Sequence, residues 1–449
     1  MSFTRRLADF ARGGMCFESL PREVIALSKE MMINAAAVGL AGAAQDQGRV
    51  LTSLLQEMGG NGRCTIIGMG VRTSPVNAAL NNALLVNLLD FDDVIRGPGG
   101  AACNSTAVIS PVVMALAELN GHSGRQVLTA FALGCEIMAK LAAWAPFRDW
   151  DSRPFSGGTA GAMGAAAAAG FLLGLDQEQA ETALEIAAGQ AHGPMAIIDI
   201  PARALQCGQA GMAGLTGAML AQRGFEGNHL TLESSIGQIS GPDVERFFDS
   251  LADPFAVVDP GVALKLYPCN PASHTAIDAM LQLLQQHRIE SGQIDAVKVS
   301  VTRAALRALP YTEPQNPSQA RSSLNYIASQ TLLNGQPLIE QFSLAALQDP
   351  AVRELMGRIT VAGDAAPTAI ADQPATVTVR LSGGRELEQL VEFARGGPQF
   401  PLDQEELDAK FLYCARHIMT PHHIQGTIDQ FRDLENIEDA TGLASILGA

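Results

Sequence analysis

The segment GTAGAMGAAAAAGFLLG, residues 158–174, is apolar around its whole circumference if it forms a helix. Such a helix cannot lie on a surface, so other helices must surround it. Neighbouring helices are predicted where apolar residues recur at three- and four-residue spacing, over residues 76–89, 110–119, 124–145 and 208–223. No convincing strand pattern occurs before about residue 255, so the sequence predicts a large helical bundle.

The pattern changes after Asp259-Pro260-Gly261. Alternating residues, many of them β-branched, predict strands at 294–302, 375–381 and 386–393, with a hairpin turn at 382–384. Helices are predicted at 275–286, 324–333, 402–414 and 421–434.

The fold class is therefore predicted to be mainly α, with a large all-helical domain and a smaller α+β domain. We expect the helical domain at residues 1–257, the α+β domain at 258–397, and C-terminal helices at 398–449 that return to the helical domain.

Composition and charge exclude several classes of protein. The 449 residues are 47% hydrophobic and 17% charged, which is typical of a folded globular chain. A net charge of −16 is the wrong sign for binding nucleic acid or an anionic membrane surface. Seven cysteines without a CxxC pair favour a reducing compartment, and we expect a cytoplasmic protein.

The first candidate site is Asp90-Phe91-Asp92-Asp93, at the end of a predicted helix. Three carboxylates at a helix C-terminus oppose the helix dipole and repel one another, which is typical of a functional site. The alternative is a solvated helix end at which Asp90 caps a neighbouring element.

The second candidate is the glycine-rich stretch 157–164, at the start of the apolar helix. Backbone N–H groups at such a helix start can bind a carboxylate or a phosphate. No strand precedes the stretch and no Gly-Lys-Ser/Thr follows it, so it is not a nucleotide motif. The alternative is that small residues allow close helix packing.

The third candidate combines Lys265, Tyr267 and His274. In an extended segment Lys265 and Tyr267 point the same way, and His274 begins a helix, so a cation, a phenol and an imidazole could meet in one pocket. The alternative is a surface cation and packing residues. Cys269 is expected to be a packing residue. A C-terminal histidine group, expected on a helix surface without a metal, comprises His417, His422 and His423.

Seven stretches, in order along the chain, resemble motifs of the MmgE/PrpD family. They are NNALLVNLLDFDD at 81–93, PVVMALAE at 111–118, GTAGAMGAAAAAGFLLG at 158–174, residues 208–225 ending in LAQRGF, KLYPCNPASHTAID at 265–278, SLNY at 323–326 and Lys410-Phe411. The resemblance implies a large helical domain and a smaller α+β domain with the site between them, in a homodimer. It also implies an enzyme without metal or cofactor that removes a proton next to a carboxylate or carbonyl of a small carboxylate. Removal of this proton leads to dehydration, decarboxylation or epimerisation of the substrate.

The resemblance assigns catalytic roles to Asp92, Asp93, Lys265 and Tyr326. It also implies substrate contacts for Thr159, Tyr267 and His274. The chain departs from the family pattern at three further substrate positions. Asn104 and Phe155 stand where family members commonly have histidines, and Arg203 stands where they have a lysine.

The leading hypothesis is a cofactor-independent lyase or isomerase of a small carboxylate. The missing imidazoles, which are suited to proton transfer near neutral pH, keep two alternatives open. One is a catalytically lapsed carboxylate-binding or scaffold protein. The other is an enzyme of a specialised pathway, in which Phe155 would suit a larger substrate.

Overall fold

A computed structural model of the chain describes residues 2–97, 101–144, 157–191, 193, 201–227, 232, 242–365 and 373–448. The chain divides into two compact units. Unit 1 comprises Met1–Leu88, Asp92–Leu264 and Asp403–Ala449, and unit 2 comprises Leu89–Phe91 and Lys265–Leu402.

Helices dominate both units, and the predicted fold class, mainly α with a smaller α+β part, is confirmed. In the described residues the α-helices are α1 Phe3–Gly13, α2 Arg22–Ala43, α3 Asp46–Met58, α4 Pro75–Asn87, α5 Ser105–Asn120, α6 Gly124–Trp144, α7 Ala160–Leu172, α8 Gln177–Gln190, α9 Ala202–Gln222, α10 Pro242–Asp249, α11 His274–Gln286, α12 Arg303–Ala308, α13 Pro317–Ala320, α14 Leu324–Asn334, α15 Leu344–Leu347, α16 Pro350–Met356, α17 Gln404–Ala415, α18 Pro421–Arg432 and α19 Thr441–Ser445.

Helix α7 is the centre of unit 1, as its sequence predicts. Every residue of the helix except Phe171 is buried. The neighbouring helix α6 approaches so closely that a Cβ atom on Gly164 would lie 2.6 Å from the carbonyl oxygen of Gly134. The small residues of the segment 158–174 therefore allow the backbones of α6 and α7 to come into direct contact.

The prediction that the first 255 residues contain no strand was wrong. Strand β1 (Cys64–Ile66) pairs with β2 (Val71–Thr73), and β3 (Asp93–Gly97) pairs with both β4 (Ala101–Cys103) and β5 (Val262–Leu264), all antiparallel. Strands of three to five residues are too short to show an alternating pattern. In the β3–β5 ladder Asp93 lies opposite Leu264.

Unit 2 contains a four-stranded sheet of β6 (Ile294–Ser300), β7 (Ile359–Ala362), β8 (Ala375–Leu381) and β9 (Glu386–Val391), in the order β7-β6-β8-β9. Strands β6 and β7 are parallel and the other pairs are antiparallel. The predicted hairpin of β8 and β9 is confirmed. Apolar side chains of one face pack with α11 and α14, which leaves a polar face outside.

Two helices in the described part of the chain, α2 and α6, are long and apolar enough to cross a membrane by length and composition alone. Their most apolar windows are 72% and 78% buried within the structure. Burial of this extent is also found in the core helices of globular proteins.

Candidate active site

Lys265 and Asp90 form a buried ion pair within unit 2. The Lys265 Nζ atom lies 2.6 Å from Asp90 Oδ1, and the two side chains are 1% and 9% exposed. Asp90 has a φ of 51°, a left-handed conformation that a non-glycine residue adopts at a cost. Strained backbone and a desolvated ion pair at one position are typical of a functional site.

Asp90 belongs to the acidic stretch that the sequence predicts as a candidate site, but the family resemblance assigns it no catalytic role, and a helix-end aspartate is usually a cap. The available signal was its place in a run of three carboxylates, together with the tolerance of aspartate for left-handed turns.

A second polar group surrounds Asp92 in unit 1. The Oδ2 atom of Asp92 accepts hydrogen bonds from Asn87 Nδ2 at 3.0 Å and from Asn104 Nδ2 at 3.1 Å. The same Asn104 amide donates to the backbone oxygen of Asp93 at 2.9 Å. Asp92 and Asp93 are fully buried. Asn104 therefore acts as a neutral donor to the acidic segment.

Arg203 joins this group through Asn87. Its Nη2 atom lies 3.5 Å from the backbone oxygen of Asn87, and the residue is half-buried near the start of α9. Thr159 is half-buried at the start of α7, where its side chain does not cap the helix. Phe155 lies outside the described residues.

Among the described residues of unit 1, the buried polar atoms without a hydrogen-bond partner include Asn87 Oδ1, Thr106 Oγ1 and Gln206 Oε1. Buried polar atoms in folded proteins are nearly always bonded, so such exceptions indicate a place where water or a ligand binds.

Tyr267 and His274 lie together, and Tyr267 bonds to a different carboxylate from the one that pairs with Lys265. The Tyr267 hydroxyl donates to Asp278 Oδ1 at 2.5 Å, and its ring lies edge-on to the His274 ring with centroids 5.1 Å apart. Burial, followed by the charge of Asp278, raises the pKa of Tyr267. The structure therefore pairs Lys265 with Asp90 and Tyr267 with Asp278, while His274 contacts the Tyr267 ring and the backbone oxygen of Cys269.

Tyr326 is in the same apolar cluster as Tyr267, with its own hydrogen bonds. Its hydroxyl donates to the backbone oxygen of Gln341 and accepts from Gln330 Nε2 at 2.9 Å. Burial raises the pKa of Tyr326 to about 12, so the phenol is neutral at physiological pH.

The remaining candidates are structural. Cys269 is buried, and burial raises the pKa of its thiol to about 12, which fits a packing residue. His417, His422 and His423 are exposed, as predicted. Among the described residues no three His, Cys, Asp or Glu side chains lie close enough to hold a metal ion.

Comparison with known proteins covers nearly the whole chain. The sequence profile of the MmgE/PrpD N-terminal domain matches residues 5–241, and that of the MmgE/PrpD C-terminal domain matches residues 267–436. Cis-aconitate decarboxylase from Homo sapiens is 27% identical over 97% of this chain and 92% of its own length. Cis-aconitate decarboxylase from Aspergillus terreus is 24% identical over 96% of this chain and 93% of its own length. The chain belongs to the MmgE/PrpD family.

Proposed function

We propose that this protein is a lyase that removes CO2 from a small unsaturated tricarboxylate of the cis-aconitate kind. The observation that carries the proposal is the buried Lys265–Asp90 ion pair. Family membership and the cis-aconitate decarboxylases among its relatives support the class of reaction and of substrate.

Lys265 is suited to two tasks in such a reaction. Its ammonium group can neutralise a substrate carboxylate, and it can donate a proton. When the carbon–carbon bond to the leaving carboxyl group breaks, CO2 departs and the electron pair moves to the substrate carbon skeleton. A proton from Lys265 Nζ then completes the new carbon–hydrogen bond. Water returns a proton to the amine, and the hydroxide that remains combines with the released CO2 as bicarbonate.

Asp90 makes Lys265 a usable acid within a buried environment. A lysine without a partner loses its proton on burial, because desolvation disfavours the charged form. A carboxylate at 2.6 Å opposes this effect and holds the ammonium group in place.

The Asp92 group is suited to substrate recognition. Asn87 and Asn104 are neutral donors, and Arg203 adds a fixed positive charge beside Asn87. A guanidinium group that is always protonated suits a substrate carboxylate. Because Asn104 cannot exchange a proton, we assign the proton transfer to Lys265.

The substitution of asparagine for the family histidine favours a second candidate, a carboxylate-binding protein without turnover. Dehydration or epimerisation of a related acid is a third outcome of the same chemistry. All of these begin from a bound carboxylate, so one experiment separates them.

The test is proton NMR of the full chain in deuterium oxide with cis-aconitate, citrate, 2-methylcitrate and iminodisuccinate, after dialysis against a chelator. We expect cis-aconitate to give CO2 and a five-carbon dicarboxylate that carries deuterium at one carbon. Water loss or exchange of an α-proton would move the assignment to dehydration or epimerisation. Saturable binding of these acids without any change in them would contradict the lyase proposal and favour the binding protein.

A further inference from the structure

The carboxylate of Asp278 joins three separate stretches of unit 2. Asp278 lies on α11, and its Oδ1 atom accepts the hydroxyl proton of Tyr267 at 2.5 Å. Its Oδ2 atom accepts the backbone N–H of Arg395 at 2.8 Å. Asp278 is 4% exposed, so these bonds form out of contact with bulk water. Helix α11, the segment before it and the turn after β9 therefore meet at one carboxylate.

The segment 265–269 is fastened at three points. Lys265 bonds to Asp90, Tyr267 bonds to Asp278, and the backbone oxygen of Cys269 lies 3.2 Å from His274 Nε2. Tyr267 is two residues from Lys265, so the position of its ring sets where the lysine leaves the backbone. The hydrogen bond between Tyr267 and Asp278 therefore directly affects the position of the Lys265 side chain.

Tyr267 itself is not placed to react. Its side chain is 1% exposed, and its hydroxyl proton is already given to Asp278. Burial raises the pKa of Tyr267, so the phenol keeps its proton over the physiological pH range.

Burying a carboxylate to bind a tyrosine carries a desolvation cost, and apolar residues of the same volume often give equal or greater stability. What a bonded carboxylate adds is direction, since the phenol must point at one oxygen atom. The Tyr267–Asp278 bond therefore fits a positioning role better than simple packing.

We propose that Asp278 is a positioning residue that acts through Tyr267 to fix the Lys265 ammonium group against Asp90. This inference rests on the proposed function of Lys265 as the acid. It extends that function to a carboxylate that closes the 265–278 motif and to which neither the family resemblance nor the ion pair assigns a role.

The test compares Asp278→Asn and Tyr267→Phe with Thr275→Val. Thr275 lies on the same helix, is similarly buried, and donates one side-chain hydrogen bond to the backbone oxygen of Gln373 at 2.8 Å. Thr275→Val therefore matches the loss of a buried hydrogen bond and removes none of the three hydrogen bonds described for the segment 265–269.

We expect each of the first two variants to lower kcat about tenfold with little change in KM, because small misplacement of a reacting group is costly. The double variant should be no slower than the slower single variant, since both changes remove one bond. Thr275→Val should lose a similar amount of thermal stability and keep its kcat. Wild-type kcat in Tyr267→Phe would overturn the proposal, even if Asp278→Asn fails to fold.

A second measurement does not need turnover. In 15N-labelled protein, the ammonium signal of Lys265 can be assigned by its loss in Lys265→Arg. We expect this signal to shift or broaden in Tyr267→Phe and to stay unchanged in Thr275→Val. If the wild type converts none of the acids, the proposed function fails, and this spectrum still decides the inference. An unchanged Lys265 signal in Tyr267→Phe would overturn it.

Discussion

The Lys265 Nζ atom lies 2.6 Å from Asp90 Oδ1, in a pair of side chains that water barely reaches. The two residues are 175 positions apart in the sequence. Their neighbours Asp93 and Leu264 lie opposite each other in the β3–β5 ladder. A short ladder that the sequence pattern does not reveal thus brings together the stretches of chain that carry the candidate acid and its partner.

Substitution of only one member of this ion pair should strongly destabilise the folded protein. Asp90→Asn leaves a buried ammonium group without its countercharge, and we expect a loss of about 3–5 kcal/mol in the free energy of unfolding. Lys265→Met should cost a comparable amount. Urea denaturation of both single variants and of the double variant measures the coupling, and the double variant should lose clearly less than the sum. Additive losses would show that the two charges do not stabilise each other.

We expect the pH profile of the activity to contain no contribution from a titrating imidazole at position 104. Because its amide donates to Asp92 and to the backbone oxygen of Asp93, this position carries no proton to exchange near neutral pH. We expect Asn104→His to add an inflection to the profile of kcat/KM near pH 6.5, the ordinary pKa of histidine. Parallel rate measurements from pH 5.5 to 8.5 check this. Identical profiles for the two proteins would mean that residue 104 does not face the reacting groups.

Glu136 gives a stability prediction with a definite sign. Its buried carboxylate accepts the backbone N–H groups of Ala252 and Ala256 at 2.8 and 2.7 Å, and it lies 3.7 Å from Lys140. Burial nevertheless raises its pKa above the ordinary 4.5. Between the two pKa values the folded chain binds more protons than the unfolded chain, so this group lowers stability as the pH rises through that interval.

Glu136→Gln removes this titration. We expect the difference in free energy of unfolding between variant and wild type to shift in favour of the variant as the pH rises from 4.5, and to level off above the raised pKa. Chemical denaturation at a series of pH values measures it. A difference that moves the other way would mean that the folded-state pKa is lowered.

Two glycines in helices should respond in opposite directions to alanine. A Cβ atom on Gly164 would lie 2.6 Å from the backbone oxygen of Gly134, so Gly164→Ala must push α6 and α7 apart. We expect it to cost about 1–3 kcal/mol. Gly426 is exposed within α18 and has open space around it, so Gly426→Ala should stabilise by about 0.5–1 kcal/mol. Thermal denaturation of both variants checks the pair, and a neutral Gly164→Ala would contradict close packing of these helices.

Local pattern was enough to predict the helices and the hairpin of unit 2. The predicted apolar helix at 158–174 is α7, and the alternation at 375–381 and 386–393 gives β8 and β9. Strands β1 to β5 escaped prediction because three to five residues carry too little pattern, and because β5 pairs with a strand far away in sequence.

The sequence predicts which residues belong to the candidate site, but it does not predict their hydrogen-bond partners. Lys265, Tyr267 and Asp92 lie in the sequence motifs, and Asn104 stands at a departure from the family pattern. Their hydrogen-bond partners depend on the path of the backbone over long sequence separations, which no local spacing encodes. Asp90 shows this most clearly, because its left-handed backbone and its bond to Lys265 appear only in the folded chain.

The most direct measurement of the central claim is the rate of CO2 release from cis-aconitate by the wild type, Lys265→Met and Lys298→Met. Lys298 is an exposed lysine on β6 paired with Asp364, so it controls for loss of one positive charge. The account predicts at least a hundredfold loss of kcat/KM in Lys265→Met, with a folded chain, and wild-type activity in Lys298→Met. A Lys265→Met variant that releases CO2 at the wild-type rate would contradict it.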